Sequence, residues 1–194
     1  RIRARKGVLL ASGGFAHNKA MREQYHPQPV STEWTAASQV DTGDGIHMGA
    51  AIGGKLAMMS NIWGSPTMVL NSGAVEAIIV NKSMPGCVAV NKAGKRFCNE
   101  AEPYEDFVKH QYAAHTEENP SIPAFFVFDA RYRREYPVGS VMAPGKYVPD
   151  SAMKSLFDSG WVVKADTLEE LAQKCGIDPH GLVETANRIA IFAE

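Results

Sequence analysis

Residues 6–15 read KGVLLASGGF, an apolar run that leads directly into two adjacent glycines. Consecutive apolar residues without polar alternation are typical of a strand that is covered on both faces, as in a parallel sheet. We therefore predict a buried strand over residues 7–12. Gly13 and Gly14 then form a turn whose main chain can approach a ligand closely, because glycine has no Cβ and permits positive φ.

A second glycine-flanked turn, TGDG at residues 42–45, precedes a predicted helix. A turn that leads into a helix presents free N–H groups and a partial positive charge at one point, which favours ligand binding. Taken alone, each turn is also explained by ordinary local structure. The first is then a common strand-to-loop turn, and the second is a capped helix start with Asp44 in its first turn.

Helices are predicted on both sides of a loop in the first 62 residues. One spans residues 18–25 and is stopped by Pro27, because proline cannot continue a helix. Asp41 or Thr42 caps the second helix, which ends at the glycine pair 53–54.

The remaining residues alternate short strands with helices. Short β-type runs lie at 68–70, 77–80, 87–90 and 124–128. The sequence NKAG at 91–94 predicts a hairpin turn that joins 88–90 to 96–98. Helices are predicted over 103–112 and 131–136, after the capping-box pattern at 166–169, and after the pair Asp178-Pro179.

This order of elements predicts an α+β fold in two regions. Residues 1–62 are interpreted as the end section of an α/β domain. Residues 63–194 are interpreted as an α+β domain with a small, mainly antiparallel sheet.

Composition excludes several classes of function. The 20 basic and 21 acidic residues give a net charge of -1, so nothing favours nucleic acid or an anionic membrane as a partner. No apolar stretch approaches the roughly 20 residues that span a bilayer. Cys87, Cys98 and Cys175 lack C-x-x-C spacing, which predicts reduced thiols in a cytoplasmic protein. The six histidines show no zinc-binding spacing, so we predict no metal site.

Tyr104 is a candidate proton acceptor. It follows the sequence GKRFCNE at 94–100, in which Asn99 and Glu100 either belong to a solvated hairpin or order the turn that aims Pro103 and Tyr104 into a cleft. A tyrosine near a polarised partner can accept a proton, although its free pKa near 10 makes it a weak base without help. Most tyrosines are packing residues, so the local sequence leaves both roles open.

Taken together, these motifs resemble those of the FAD-dependent 3-ketosteroid dehydrogenases, within the wider fumarate reductase and succinate dehydrogenase flavoprotein superfamily. The similarity covers essentially the whole chain. It is carried by VLLASGGF at 8–15, TGDG at 42–45, GKRFxNE at 94–100, PY at 103–104, FDxRY at 128–132 and ADTLEELA at 165–172.

The resemblance implies a two-domain oxidoreductase of steroid metabolism. Residues 1–62 would then be the last section of a Rossmann-like FAD domain, and 63–194 would form most of a catalytic, or capping, domain. In such enzymes the flavin accepts a hydride from the steroid A ring, and a tyrosine of the cap, matched here by Tyr104, removes the neighbouring proton. The implied cofactor-binding residues are Ser12, Gly13, Gly14, Phe15, Thr42, Gly43 and Asp44.

The sequence is also interpreted as an internal piece of a longer flavoprotein. It begins with Arg1, and no G-x-G-x-x-G motif precedes the first glycine turn. We therefore expect FAD and a small apolar ketone, such as a steroid, to bind the full-length protein. We expect this piece alone to bind no flavin and to show no turnover. We expect the strand over 7–12 to be paired either within the chain or with a second copy, and the second alternative corresponds to self-association.

Two other functions remain open. One is a related FAD-dependent reductase of an unsaturated acid, as in fumarate reductases. Those enzymes use an arginine as proton donor, but none occurs between Asn99 and His110, and Lys109 cannot reproduce a guanidinium fork. The other alternative is a non-catalytic binding module that reuses the capping domain.

Overall fold

The computed structural model describes residues 3–192, and the chain divides into two units, Arg1–Trp63 and Gly64–Glu194. The outermost residues of the two predicted domains, 1–2 and 193–194, lie outside the described residues. Helices and small antiparallel sheets make up the fold, as predicted for an α+β protein.

The N-terminal unit contains two helices, α1 (Lys19–Tyr25) and α2 (Asp44–Ala51), and a 3-10 turn at Thr32–Trp34. Asn18 caps α1, because its side-chain oxygen accepts a 3.0 Å hydrogen bond from the Met21 N–H. α1 ends before Pro27, as predicted. Gly43 precedes α2 with φ +84°, so the predicted helix is present but begins at Asp44 without a side-chain cap.

The strand predicted over 7–12 is wrong for this unit. The segment belongs to no sheet among the described residues, and Val8 and Leu9 are 77% and 89% exposed. Leu10 lies over α2, since a Cβ built on Gly45 would be 3.7 Å from the Leu10 Cβ. An apolar run becomes a buried strand only when neighbouring strands and covering helices are both available, and the described part of this unit supplies a helix beside Leu10 but no neighbouring strand.

The C-terminal unit contains two antiparallel strand pairs. β1 (Thr67–Val69) pairs with β2 (Val75–Ala77), and β3 (Cys87–Val90) pairs with β4 (Phe125–Phe128), with Cys87 opposite Phe128. The helices of this unit are α3 (Tyr104–Ala113), α4 (Ala130–Glu135), α5 (Lys154–Asp158), α6 (Leu168–Cys175) and α7 (Pro179–Phe192), with 3-10 turns at Asn81–Ser83 and Asp150–Met153.

The predicted hairpin is only partly present. Its turn forms, with the Gly94 N–H donating to the Asn91 carbonyl at 2.9 Å, but beyond it Val90 and Arg96 make a single bridge. The partner strand of β3 is β4 instead. A Cβ on Gly94 would lie 2.3 Å from the Leu182 nitrogen, so the backbone of α7 is in close contact with the turn.

The β3–β4 pair separates two hydrophobic clusters. Val88 and Val90 pack with buried Ala172, Ile177 and Leu182 of the C-terminal helical region. On the other side, Phe126 and Phe128 pack against a buried cluster centred on Tyr132. Because successive side chains of a strand lie on opposite faces, the strand pair contributes side chains to both clusters.

The C-terminal helices are capped by their own sequence signals. The Glu170 N–H donates to Thr167 Oγ1 at 3.1 Å, and the Asp166 N–H donates to Glu170 Oε2 at 3.2 Å. The capping box therefore uses Glu170, one residue later than the predicted 166–169 pattern. Gly176 ends α6 with φ +69°, as expected of a C′ glycine.

Candidate functional site

The two glycine turns of the N-terminal unit lie side by side. The Gly43 N–H donates a 2.9 Å hydrogen bond to the Gly14 carbonyl, and the Asn18 side chain donates to the Thr42 carbonyl at 2.9 Å. The His17 N–H also donates to the Asp41 carbonyl. These bonds bring together the residues predicted to bind a cofactor, which are Ser12, Gly13, Gly14, Phe15, Thr42, Gly43 and Asp44.

The glycines of these turns have different physical roles. Gly13 and Gly43 adopt φ +82° and +84°, and an added Cβ would lie 2.2 Å from Asp41 Oδ1 and 2.6 Å from Met21 Sδ, respectively. These two glycines are needed for the packing of the loops themselves. Among residues 3–192, no heavy atom lies within 4 Å of a Cβ built on Gly14, so these residues leave the space beside Gly14 open to another group.

An acidic residue occupies the start of α2. Asp44 is exposed in the first turn, and its Oδ1 accepts a 3.0 Å hydrogen bond from Thr42 Oγ1. The partial positive charge of the helix N-terminus stabilises this carboxylate. The carboxylate would in turn repel a phosphate and accept hydrogen bonds from N–H or O–H groups of a ligand.

Phe15 is held by aromatic packing. Its ring centre lies 6.0 Å from that of Tyr25 and 4.7 Å from that of His26, at the end of α1. Burial, followed by the nearby charge of Arg22, lowers the pKa of His26, which favours the neutral imidazole. The Phe15 ring thus packs the glycine loop against the end of α1.

Tyr104 is the first residue of α3, in the C-terminal unit. The Pro103 carbonyl accepts hydrogen bonds of 3.0 Å from the N–H groups of Asp106 and Phe107, which closes the first turn. Buried Phe107 and Val108 fix the helix, and Tyr104 itself is half-buried. Proline is well suited to this position because the first amides of a helix need no partner within it.

A buried glutamate ties the loop before Tyr104 to the sheet. Glu100 is only 5% exposed, and its Oε1 accepts a 2.9 Å hydrogen bond from the Ala89 N–H of β3. Arg96 Nε donates to both carboxylate oxygens, at 3.1 and 3.0 Å, and Arg96 Nη2 donates to Oε2. Asn99 Oδ1 accepts from the Ala101 N–H at 3.0 Å. Of the two interpretations of residues 94–100, the structure therefore favours an ordered turn over a solvated hairpin.

A buried lysine, which sequence reasoning missed, lies beneath this loop. Lys82 is 1% exposed, and its Nζ donates hydrogen bonds of 2.7 Å to the carbonyls of Glu100 and Glu102. The ammonium also lies 5.4 Å from the Phe107 ring centre. Burial lowers the pKa of Lys82, and nearby negative groups that include Glu102 and Glu100 oppose that shift. A lysine in the sequence VNKS is indistinguishable from an ordinary surface lysine.

The thiols are poor candidates for chemistry. All three cysteines are free and half-buried. Burial raises the pKa of both Cys87 and Cys98 to about 12, so both remain thiols near neutral pH. Within residues 3–192, no group of His, Cys, Asp or Glu side chains is arranged to hold a metal ion, and no helix has the length and apolar character needed to cross a bilayer.

Comparison with known proteins identifies a matching family and similar dehydrogenases. A family described as "FAD binding domain" matches residues 1–194. The chain is 41% identical to a 3-oxosteroid 1-dehydrogenase of Mycobacterium tuberculosis, in an alignment that covers 99% of the chain and 34% of that relative. It is 40% identical to one of Mycolicibacterium smegmatis, over 99% of the chain and 33% of that relative.

A solved structure is also similar. The crystal structure of 3-ketosteroid delta1-dehydrogenase from Sterolibacterium denitrificans, in complex with 1,4-androstadiene-3,17-dione, superimposes with a TM-score of 0.84 at 35% identity. The match covers 94% of this chain and 32% of that one. The chain thus spans about a third of the length of these relatives.

Proposed function

Because the chain belongs to the FAD binding domain family, we propose that it forms part of an FAD-dependent dehydrogenase that desaturates the A ring of a 3-ketosteroid. The observation that carries this proposal is the 41% identity to a 3-oxosteroid 1-dehydrogenase. The alignment covers 99% of the chain. The substrate class is a small apolar ketone, for which a steroid is the first candidate.

We assign the two regions different parts in this function. Residues 1–62 belong to a Rossmann-like FAD domain, and residues 63–194 belong to a catalytic, or capping, domain. The division of the chain between Trp63 and Gly64 supports this assignment. The exposed apolar run at 8–10 also supports it, because such a run suits a strand of a larger parallel sheet.

The glycine turns are suited to the ring or ribityl part of FAD. The open space beside Gly14 lets a planar or extended group approach the main chain. The Asp44 carboxylate would repel the pyrophosphate but accept a hydrogen bond from a ligand N–H or hydroxyl. When bound, FAD supplies the hydride acceptor, and the protein contributes binding and orientation.

Tyr104 is assigned the removal of a proton from the carbon beside the 3-keto group. The keto group acidifies this C–H, so that a phenol-derived base becomes adequate. The position of Tyr104 at the start of α3 assists it, because the positive end of the helix dipole stabilises the phenolate, which is the form that accepts the proton. The first turn also carries two opposing charges, Glu105 and Asp106, and that of Asp106 is paired with Lys109 at 2.9 Å.

The test is a steady-state assay of the full-length protein with 4-androstene-3,17-dione and a dye acceptor. We expect steroid-dependent dye reduction, and we expect Tyr104→Phe to lower kcat by about a hundredfold or more while flavin content is unchanged. A full-length protein that reduces fumarate but leaves the steroid unchanged would support the reductase alternative. A protein without flavin or turnover would support a binding module.

The 194-residue chain alone is proposed to hold no flavin and to give no turnover. Within the described part of the chain, the glycine turns offer one open approach, beside Gly14, and the residues around it are largely exposed. A preparation of this chain that shows a flavin absorption band would contradict this part of the proposal.

A further inference from the structure

We propose that Lys82 is a positioning residue for Tyr104, a role that rests on the proposed function. Its Nζ donates to the Glu100 and Glu102 carbonyls at 2.7 Å each. Glu102 is separated from Tyr104 only by Pro103. The ammonium therefore fixes the backbone immediately before the residue assigned to proton removal.

The lysine itself is held by a rigid part of the fold. The neighbouring Asn81 donates from its side chain to the Pro137 carbonyl at 3.0 Å, and its own carbonyl accepts from the Tyr132 hydroxyl at 2.9 Å. Tyr132 is fully buried in the core. Ser83 Oγ adds a 3.2 Å hydrogen bond to the same Glu100 carbonyl that Lys82 contacts.

The loop that accepts the hydrogen bonds of Lys82 is also held in place. The Glu102 carboxylate lies 2.8 Å from His110 Nδ1 on α3, and the Glu102 N–H donates to the Asn99 carbonyl at 3.0 Å. Lys82 Nζ also lies over the ring of Phe107, on the same helix. The lysine thus contacts both the loop that precedes α3 and the helix that carries Tyr104.

The charge of Lys82 at a buried position requires a physical explanation. Burying an ammonium costs free energy that a neutral side chain would avoid. In return, the ammonium makes charge-assisted hydrogen bonds to two carbonyls at once, which are short and directional. We infer that this arrangement sets the direction of the first turn of α3, and so the position of the Tyr104 hydroxyl.

The experiment compares Lys82→Met with Lys95→Met in the full-length protein. Lys95 is an exposed lysine that pairs with Glu184 on the surface, so its substitution is the matched control. We expect Lys82→Met to lower kcat by about tenfold to a hundredfold, since small misplacements of a catalytic group cost that much. The steroid KM and the flavin content should change by less than about twofold, and Lys95→Met should match the parent.

An isotope effect separates positioning from general loss of structure. With a steroid deuterated at the carbon beside the 3-keto group, Lys82→Met should show a larger kinetic isotope effect than the parent, because proton removal becomes more rate-limiting. A fall in kcat that follows loss of flavin or a rise in KM would overturn the inference. So would an unchanged isotope effect.

Asn99→Ala provides a second test if Lys82→Met fails to fold. It removes the hydrogen bond from the Ala101 N–H at the exposed surface of the same loop, and we expect a smaller kcat defect with the same larger isotope effect. If Asn99→Ala is kinetically silent, Lys82 serves only the fold and the inference fails. A parent that does not desaturate the steroid contradicts the proposed function itself, whereas an active parent matched by Lys82→Met contradicts only the role of Lys82.

Discussion

The Gly43 N–H donates a 2.9 Å hydrogen bond to the carbonyl oxygen of Gly14, which joins two loops that are distant in the sequence. Gly43 is closely surrounded by Met21 and Phe15, whereas the position of a Cβ on Gly14 is open. A methyl group added to Gly43 would therefore clash with neighbouring side chains, whereas one added to Gly14 would not, although a hydrogen bond joins the two residues. This difference allows folding and cofactor binding to be tested separately.

Gly14→Ala is expected to weaken FAD binding without destabilising the loops. A methyl group here would meet no atom of the part of the chain that the structure describes, but it would occupy the proposed approach of the cofactor. A cost of about 1–3 kcal/mol for a forced contact corresponds to about a tenfold to hundredfold higher Kd. Titration of the full-length apoprotein with FAD, followed by flavin fluorescence, measures this change.

Gly43→Ala is the comparison for that experiment. Its φ of +84° and the close Met21 sulfur predict a lower melting temperature together with a loss of flavin. If Gly14→Ala binds FAD as tightly as the parent, the open space beside Gly14 is not where the cofactor approaches.

Glu100→Ala is expected to lower the free energy of unfolding by about 3 kcal/mol or more, because it leaves the Ala89 amide and the Arg96 guanidinium without their buried acceptor. Glu184→Ala removes an exposed pair with Lys95 and should cost less than about 1 kcal/mol. Urea denaturation of the 194-residue chain, followed by tryptophan fluorescence, gives both values. Equal effects would mean that the Glu100 carboxylate does not anchor the loop.

Local sequence signals predicted the elements that depend on local interactions. The helix α1 lies within the predicted span 18–25, α6 follows the capping-box signal, and a strand forms at the predicted residues 87–90. The loop signal NKAG also produced its turn. In each of these cases the deciding hydrogen bond or backbone angle lies within a few residues of the signal.

The elements that depend on distant partners were predicted less well. The partner of β3 is β4, far along the chain, rather than the residues after the turn. The run at 8–10 has the composition of a strand but no neighbouring strand among the described residues. Lys82 could not be recognised, because its burial depends on carbonyls presented by the loop at 100–102.

The stability contributed by Asp150 is expected to depend on pH. A hydrogen bond from Lys164, together with the charges of Lys164 and Arg133, holds the pKa of Asp150 below its usual value. A carboxyl group with a lowered folded-state pKa stabilises the protein above its unfolded-state value of about 3.9, and this contribution is lost as the pH falls through the folded-state pKa.

Asp150→Asn should therefore cost about 1 kcal/mol at pH 7 and progressively less below about pH 4. Denaturation midpoints of the parent and the variant across this range measure the effect. Asp158→Asn is the control, because its pair with Lys154 is largely exposed and should contribute little at any pH. A constant difference between parent and Asp150→Asn across the range would show that the carboxylate charge is not the source of its effect.

Self-association of the 194-residue chain is expected through the apolar run that contains Val8 and Leu9, which are 77% and 89% exposed. An extended segment with unpaired N–H and C=O groups and apolar side chains favours pairing with another copy. Leu9→Lys should shift the species toward the 21.1 kDa monomer, because a charge on such an edge opposes pairing.

Val40→Lys is the matched control, since Val40 is 79% exposed but lies outside this run. Light scattering coupled to size-exclusion chromatography, over a range of concentrations, gives the mass of each species. A parent chain that stays at 21.1 kDa at every concentration would show that exposure of the run is not sufficient for pairing. An oligomer that persists in Leu9→Lys but dissociates in Val40→Lys would place the contact on another surface.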